Sequence, residues 1–302
     1  MYPFLAIASA MQKRGHDVLI ASAEYHRKRV EESGIQFRVT APNCDFSNAE
    51  FQQRAFMERT GARFFLRDSM LPQIGRSYRD LLDVTADADL LVTQTLSFAG
   101  PLVAEKTGIP WISAVLAPLS FFSYADSPVL APQLRRVREL MPRLNSAINR
   151  AARWTTRSWS AAVYQFRREL GLPPGADPIY EGQYSPMGVL ALFPRWYAEP
   201  QPDWPPNVSL TGFPFWEERH IDTETESKLE HFLEAGDPPV VFTLGSSAVL
   251  DPGSFYEESA RAVRRLGCRA IFLGAARNAR DDMNHRLLTL PYAPHDRVFR
   301  AA

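Results

Sequence analysis

The first residues of the chain set apolar side chains at three- and four-residue steps: Phe4, Ile7 and Met11, with Leu5 and Ala8 widening the stripe. That spacing predicts a helix lying on a core. Pro3 suits its first turn, where a missing N–H costs nothing. Lys13 and Arg14 followed by Gly15 predict its end: cations in the last turn, then a residue free to take positive φ. The pattern then becomes a short apolar run, Asp17 to Ala21, which predicts a buried strand.

The same alternation continues. Glu24 to Ser33 predicts a helix closed by Gly34, and Ile35 to Thr40 a strand. A helix-rich stretch runs from about Ala49 to Thr85. Strands are expected at Asp89–Thr93, Trp111–Leu116, Val189–Phe193 and Val208–Thr211, and a helix at Ser97–Thr107 ending at Gly108. Pro132 to Leu170 reads as a long helical region broken near Pro142. Prolines then cluster between 194 and 214, and an acidic stretch follows to Glu226, so the region 194 to 225 reads as a linker. Beyond it the alternation restarts: strand Val240–Leu244, helix Phe255–Leu266, Gly267 as cap, strand Ala270–Leu273. Alternating helix and strand means α/β, with parallel sheets covered by helices on both faces. We expect two domains, 1–215 and 216–302.

AIASAMQKRGHDVLIAS and ESARAVRRLGCRAIFLG share one pattern: helix, basic residues, Gly, strand. In the second copy a strand and a small loop, VVFTLGSS, come first. In a doubly wound sheet the first strand lies in the middle. The comparison predicts a strand ahead of Met1 and a second domain that continues past Ala302, so that both domains here are incomplete.

Composition narrows the function. Among 302 residues, 45% are hydrophobic and 23% charged, and Lys plus Arg balance Asp plus Glu at 34 each. A net charge of +0 gives no reason to expect a nucleic-acid partner. The two cysteines, Cys44 and Cys268, make no disulfide framework, and the six histidines show no metal-ligand spacing. We therefore expect no metal and no resident cofactor. No basic region precedes an apolar core at the start, and the most apolar stretch, Ile109 to Tyr124, is too short for a membrane span. The expectation is a cytoplasmic protein, with peripheral contact at the inner membrane face as a further option.

Three stretches carry candidate chemistry. Thr243-Leu244-Gly245-Ser246-Ser247 ends a buried strand with a loop in which Gly admits a ligand to the backbone and serine hydroxyls meet phosphate oxygens; the plainer reading is a turn or helix cap. IPWISAVLAPLSFFSYADSPVLAP runs from a strand into a loop holding Ser120, Phe121, Phe122 and Tyr124, either an apolar pocket or core packing. The third, Leu134 to Leu170, is rich in arginine and holds Trp154 and Trp159. It fits a solvated basic helix face, or an anionic membrane surface. His16 and His26 have no visible catalytic partner and receive no role.

In order, YPFLAIASAMQKRGHDVLIAS, ADLLVTQTLSFAGPLVAEKTGIPWISAVLAP, NVSLTGFPFW, VVFTLGSSAV and LPYAPHDRVFRAA resemble the nucleotide-sugar glycosyltransferases of the GT-B fold, the group of UDP-glycosyltransferases and bacterial family 28 glycosyltransferases. The resemblance implies two Rossmann-like domains, an acceptor-binding one and a nucleotide-sugar-binding one. It implies inverting, metal-independent transfer of a hexose from a UDP- or dTDP-linked donor to a hydroxyl of an apolar or lipid-like acceptor. It places Gly245, Ser246 and Ser247 at the donor diphosphate, Tyr292 against the base and Ala293 at the base edge through its backbone. His295 stands where the family usually has glutamine. The acceptor pocket would hold Ser120, Phe121, Phe122 and Tyr124. The general base would fall just before Met1, and the His-x-Gly-Gly helix after Ala302, so this chain alone is expected to be inactive. A non-catalytic binding remnant and a sugar-nucleotide epimerase of the same fold remain as alternatives.

Overall fold

The computed structural model describes residues 1–46, 48–57, 59–126, 145–216, 222–245, 252–274 and 286–302. The chain divides into two compact units, Met1–Trp216 and Glu217–Ala302.

In the first unit, α1 (Tyr2–Gln12) leads into β1 (Leu19–Ser22), and α2 (Arg27–Glu32) into β2 (Gln36–Val39). Gly15 at φ 88° and Gly34 at φ 74° make the two turns, as glycine allows and other residues resist. β1 and β2 pair in parallel, Leu19 opposite Gln36. Leu5, Ala8, Val30, Ile35 and Phe37 close a small core over them, with Trp216 packed against it. α3 (Ala49–Ala55) opens with the Asn48 side chain accepting from the Phe51 N–H. A π-helical run, Arg63–Met70, and a 3-10 turn, Leu71–Gln73, lead into α4 (Ile74–Val84).

A four-stranded parallel sheet follows, in the order β3 (Leu91–Gln94), β4 (Trp111–Val115), β5 (Val189–Ala191), β6 (Val208–Leu210). β3 starts two residues later than the apolar run predicts. The ladder begins where Leu91 N–H meets the Pro110 carbonyl, and Leu90 stays exposed. α5 (Ala99–Thr107) connects β3 to β4 and ends on Gly108 at φ 78°. Gly100 is required here by closeness: a Cβ on it would sit 2.4 Å from Thr93 Cγ2. Among the described residues, β1 and β3 each pair along one edge only. Of the long helical region, α6 (Asn145–Thr156) and α7 (Ala161–Glu169) are described, joined by a 3-10 turn; the break near Pro142 lies outside the described residues.

The second unit holds β7 (Val240–Thr243), β8 (Ala270–Leu273) and β9 (Leu287–Leu290), parallel and in that order. α8 (Thr223–Glu234) is capped by the Asp222 carboxylate on Thr225 N–H. α9 (Phe255–Leu266) and α10 (His295–Arg300) complete the described helices of this unit. β8 explains the unbroken apolar run AIFL. Ile271 and Leu273 pack with Leu229, Phe232 and Val298. Ala270 and Phe272 pack on the other face with Tyr256 and Val263. A strand buried on both faces has no polar positions to alternate with. No helix among the described residues is long and apolar enough to cross a membrane.

Leu229 is fully buried at the centre of one of these cores. Leu229→Ala is expected to destabilise the second unit by about 2–5 kcal/mol. Lys228→Ala, on the exposed Lys228–Glu224 pair, should change stability by no more than about 0.5 kcal/mol. All six tryptophans precede residue 217, so circular dichroism, not tryptophan fluorescence, is the measurement to follow.

His26 sits against the first core with Nδ1 enclosed and unpartnered. Burial, then the positive charges of the Met1 amine and Arg29, lower its pKa from 6.5 to about 4. Between those values the unfolded chain binds more protons than the folded one. The contribution is therefore complete above pH 6.5 and is lost as pH falls toward 4. Denaturant midpoints of the wild type should drop through that window, and His26→Gln should flatten the dependence.

Candidate functional site

Parallel pairing sets Val115, Ala191 and Leu210 level with one another, so the loops after β4, β5 and β6 leave from one edge. In an open parallel sheet that carboxyl edge is where ligands bind. After β4, Leu116 and Leu119 are exposed, and Pro118–Phe121 forms a 3-10 turn. Phe122 then takes φ 49°, an uncommon conformation for a bulky residue.

This loop is held from three sides. Asp203 accepts from Ser123 Oγ at 2.7 Å and from Tyr124 N–H at 2.5 Å. Partial burial pushes the Asp203 carboxyl up, but the Ser123 bond and backbone N–H groups outweigh it and hold its pKa below the usual range. Arg153 of α6 donates to the Phe122 carbonyl at 3.0 Å and pairs with Glu181. Its guanidinium lies 4.4 Å from the Tyr124 ring centre and 4.6 Å from that of Tyr180, a cation held between two aromatic faces. The Tyr184 hydroxyl donates to the Ser120 carbonyl. Burial raises the pKa of both Tyr180 and Tyr184, which keeps the two phenols protonated.

The residues expected to line an acceptor pocket thus separate. Phe121 is a core residue, stacked on Trp204 at 4.2 Å and 25°. Phe122 leans on the helical core and meets Tyr180 edge-on. Tyr124 lies under Arg153, and Ser120 is fixed through its backbone. Among the described residues of this loop, Leu116, Leu119, Ala125 and Asp126 are exposed.

The region taken as a linker holds the larger surprise. Residues up to Trp216 belong to the first unit. Beyond β5 and β6, Trp196, Tyr197, Phe213 and Phe215 form a chain of ring contacts with centroids 5.6–6.3 Å apart. Trp196 is 79% exposed and Phe215 84%. The proline cluster hid them: prolines here shape loops of the domain, not a tether. Trp154 is exposed, whereas Trp159 packs on the helical core, so the arginine-rich stretch is not one continuous surface.

In the second unit, Thr243, Leu273 and Leu290 share a register level, so the segments after β7, β8 and β9 leave from one edge. Gly245 stands there with open space where a Cβ would project. Ser246 and Ser247 lie outside the described residues. Ala293 is fully buried in the core. Tyr292 meets His295 edge-on at 6.3 Å, and His295 stacks flat on Phe299 at 5.3 Å. Arg297 bridges Glu226 and Glu230 of α8, fixing the helix that starts at His295. Among the described residues no group of three His, Cys, Asp or Glu is placed to hold a metal.

No protein-family model matches the sequence. The chain is 29% identical over 288 residues to the O-mycaminosyltylonolide 6-deoxyallosyltransferase of Streptomyces fradiae, covering 92% of this chain and 66% of that protein. It is 24% identical to the sterol 3-beta-glucosyltransferase of Komagataella phaffii, over 98% of this chain and 25% of that one. Among solved structures, the spinosyn forosaminyltransferase SpnP superposes with a TM-score of 0.63 at 16% identity, covering all of this chain and 70% of that one. The calicheamicin glycosyltransferase CalG4 gives 0.65 at 13% identity, over 99% of this chain and 69% of that one. The chain has the GT-B fold of these glycosyltransferases. The GT-B chain described here spans about two thirds of the length of the Streptomyces relative and a quarter of the yeast one.

Arg153 ties the β4 loop of this GT-B chain to α6. Arg153→Ala is expected to cost about 1.5–3 kcal/mol, the range for hydrogen bonds to a charged group, and to open the loop to limited proteolysis. Arg153→Lys keeps the charge but loses the planar fork, so it should recover only part of the melting temperature.

Proposed function

We propose that this chain forms the acceptor-binding unit and the first part of the donor-binding unit of a sugar transferase. The reaction moves a hexose from a nucleoside-diphosphate sugar to a hydroxyl of an apolar acceptor. The observation that carries this reading is the match along nearly the whole chain to sugar transferases, which includes both carboxyl-edge segments. The relatives also include sterol 3-beta-glucosyltransferases, whose named acceptor is an apolar framework. The rhamnosyltransferase SpnG, of like fold, is solved with thymidine diphosphate, which supports a dTDP- or UDP-linked donor.

The chemistry is a single in-line displacement with inversion. A general base takes the acceptor proton, the freed oxygen attacks the anomeric carbon, and the diphosphate leaves. Backbone donors and serine hydroxyls stabilise the departing charge without a metal. In this chain the loop at Gly245–Ser247 takes the diphosphate and Tyr292 the base. Leu116, Leu119 and the exposed aromatic row supply apolar contact for the acceptor. No residue of the chain is assigned as the base.

Gly245 gives the sharpest test. Because its Cβ position is open, Gly245→Val should leave the melting temperature nearly unchanged while filling space kept for the donor. Titration calorimetry with thymidine and uridine diphosphates should give a Kd at least about tenfold weaker for Gly245→Val and for Tyr292→Ala. Ser246→Ala should lose roughly ten- to a hundredfold, the worth of a hydroxyl bonded to a charged phosphate. Unchanged affinity in all three variants would remove the donor site from this edge.

A further inference from the structure

A hollow of about 390 Å³ lies along α5 and reaches the amino-terminal ends of β4 and β5, the opposite edge of the sheet from the loop of Leu116 and Leu119. That volume is within the range of small-molecule sites, roughly 300–1,000 Å³. Its walls are mainly apolar: Leu102 from α5, Ile109 and Trp111 before and in β4, Val163 from α7, Met187 before β5.

Its polar groups are nearly all spent within the protein. Arg167 pairs with Glu105 at 2.6 Å and also donates to the Pro173 carbonyl, so the one cation and the one anion cancel. Trp111 Nε1 donates to Thr93, and Ser185 Oγ to the Trp111 carbonyl. Gln183 keeps an unused acceptor. Gln183 is only 5% exposed, and its Nε2 donates to the Ile179 carbonyl at 2.6 Å. Its Oε1 receives no hydrogen bond from the described residues. Gln183 is one of the residues that line the hollow. A buried acceptor without a donor is costly, which selects for a ligand that supplies one.

We propose that this hollow is a second binding site, separate from the transfer site, for a small uncharged apolar molecule carrying one hydrogen-bond donor, such as an aromatic alcohol. A charged molecule would lose its hydration and find no counterion, since Arg167 and Glu105 already serve each other.

The test titrates the 302-residue chain with naphthol, naphthalene and naphthoate by calorimetry. Naphthol should bind one to one. Naphthalene should bind roughly two- to tenfold more weakly for want of one hydrogen bond, and naphthoate more weakly still. Gln183→Leu should bring naphthol to the level of naphthalene and leave naphthalene unchanged, which also reports an intact fold. Ala104→Trp fills the hollow from α5, and Met187→Trp does so from a side chain 61% exposed, at the cost of the bond its sulfur accepts from the Trp111 N–H. Both should abolish binding of naphthol without weakening thymidine diphosphate. Absence of saturable naphthol binding overturns the proposal, as does equal binding in both tryptophan variants, tighter binding of naphthoate, or no response to Gln183→Leu. None of these outcomes depends on whether sugar transfer is observed.

Discussion

Parallel pairing is the constraint on which the rest of this molecule depends. Parallel strands cannot be joined by a tight turn, so each needs a crossover, and here the crossovers are helices such as α5 and α9. Consecutive strands then run the same way, and every carboxyl end falls on one edge. Val115, Ala191 and Leu210 stand level in the first unit, and Thr243, Leu273 and Leu290 in the second. Segments far apart in sequence, such as Leu116 and Phe213, or Gly245 and Tyr292, reach a common edge without any direct attraction between them. The helices cover both faces of β8, which is why its residues are all apolar and why little else there is free to carry chemistry.

What the chain states locally was legible in its sequence. Phe255–Leu266 and Ala270–Leu273 have the bounds that their pattern predicts, because an amphipathic helix, a glycine cap and a doubly buried strand are each decided within a few residues. What depends on a distant partner was not legible. Phe121 and Leu119 are both apolar and two residues apart, yet one is buried and the other half exposed. The difference is Trp204, whose ring fills the space beside Phe121. The π-helical run at Arg63–Met70 had no signal beyond general helicity. The aromatic row from Trp196 to Phe215 was masked by its prolines, which mark irregular backbone without saying whether that backbone is packed.

The loop after β4 has a different source of order. Phe121 and Phe122 pack on two cores, yet Phe122 holds a positive φ that raises its energy. Polar contacts compensate. Asp203 gathers Ser123 and Tyr124, and Arg153 spans Phe122, Glu181 and two tyrosine rings. Arginine suits this place because its flat guanidinium stacks and forks at once, and gives up its hydration more readily than an ammonium. The loop is thereby fixed by bonds that leave its outer apolar side chains, Leu116 and Leu119, uncommitted.

That division bears on how such a scaffold comes to serve different acceptors. A residue such as Phe121 cannot change without disturbing Trp204 and Phe193. Leu116, Leu119, Trp196 and Phe215 are exposed and can change at small cost in stability, since exposed positions rarely contribute more than a few tenths of a kcal/mol. Apolar contact is also tolerant of shape: a hydrophobic wall separates ligands that differ by a methylene only about 10–200-fold. On the proposed reading, a face built from exposed aromatic and leucine side chains, backed by a loop that polar bonds hold in place, keeps the fold fixed while the acceptor surface varies. Recognition of the diphosphate has no such freedom. It needs backbone and hydroxyl groups at set distances from a charged group, which in the proposed reading ties it to the segment that follows one strand.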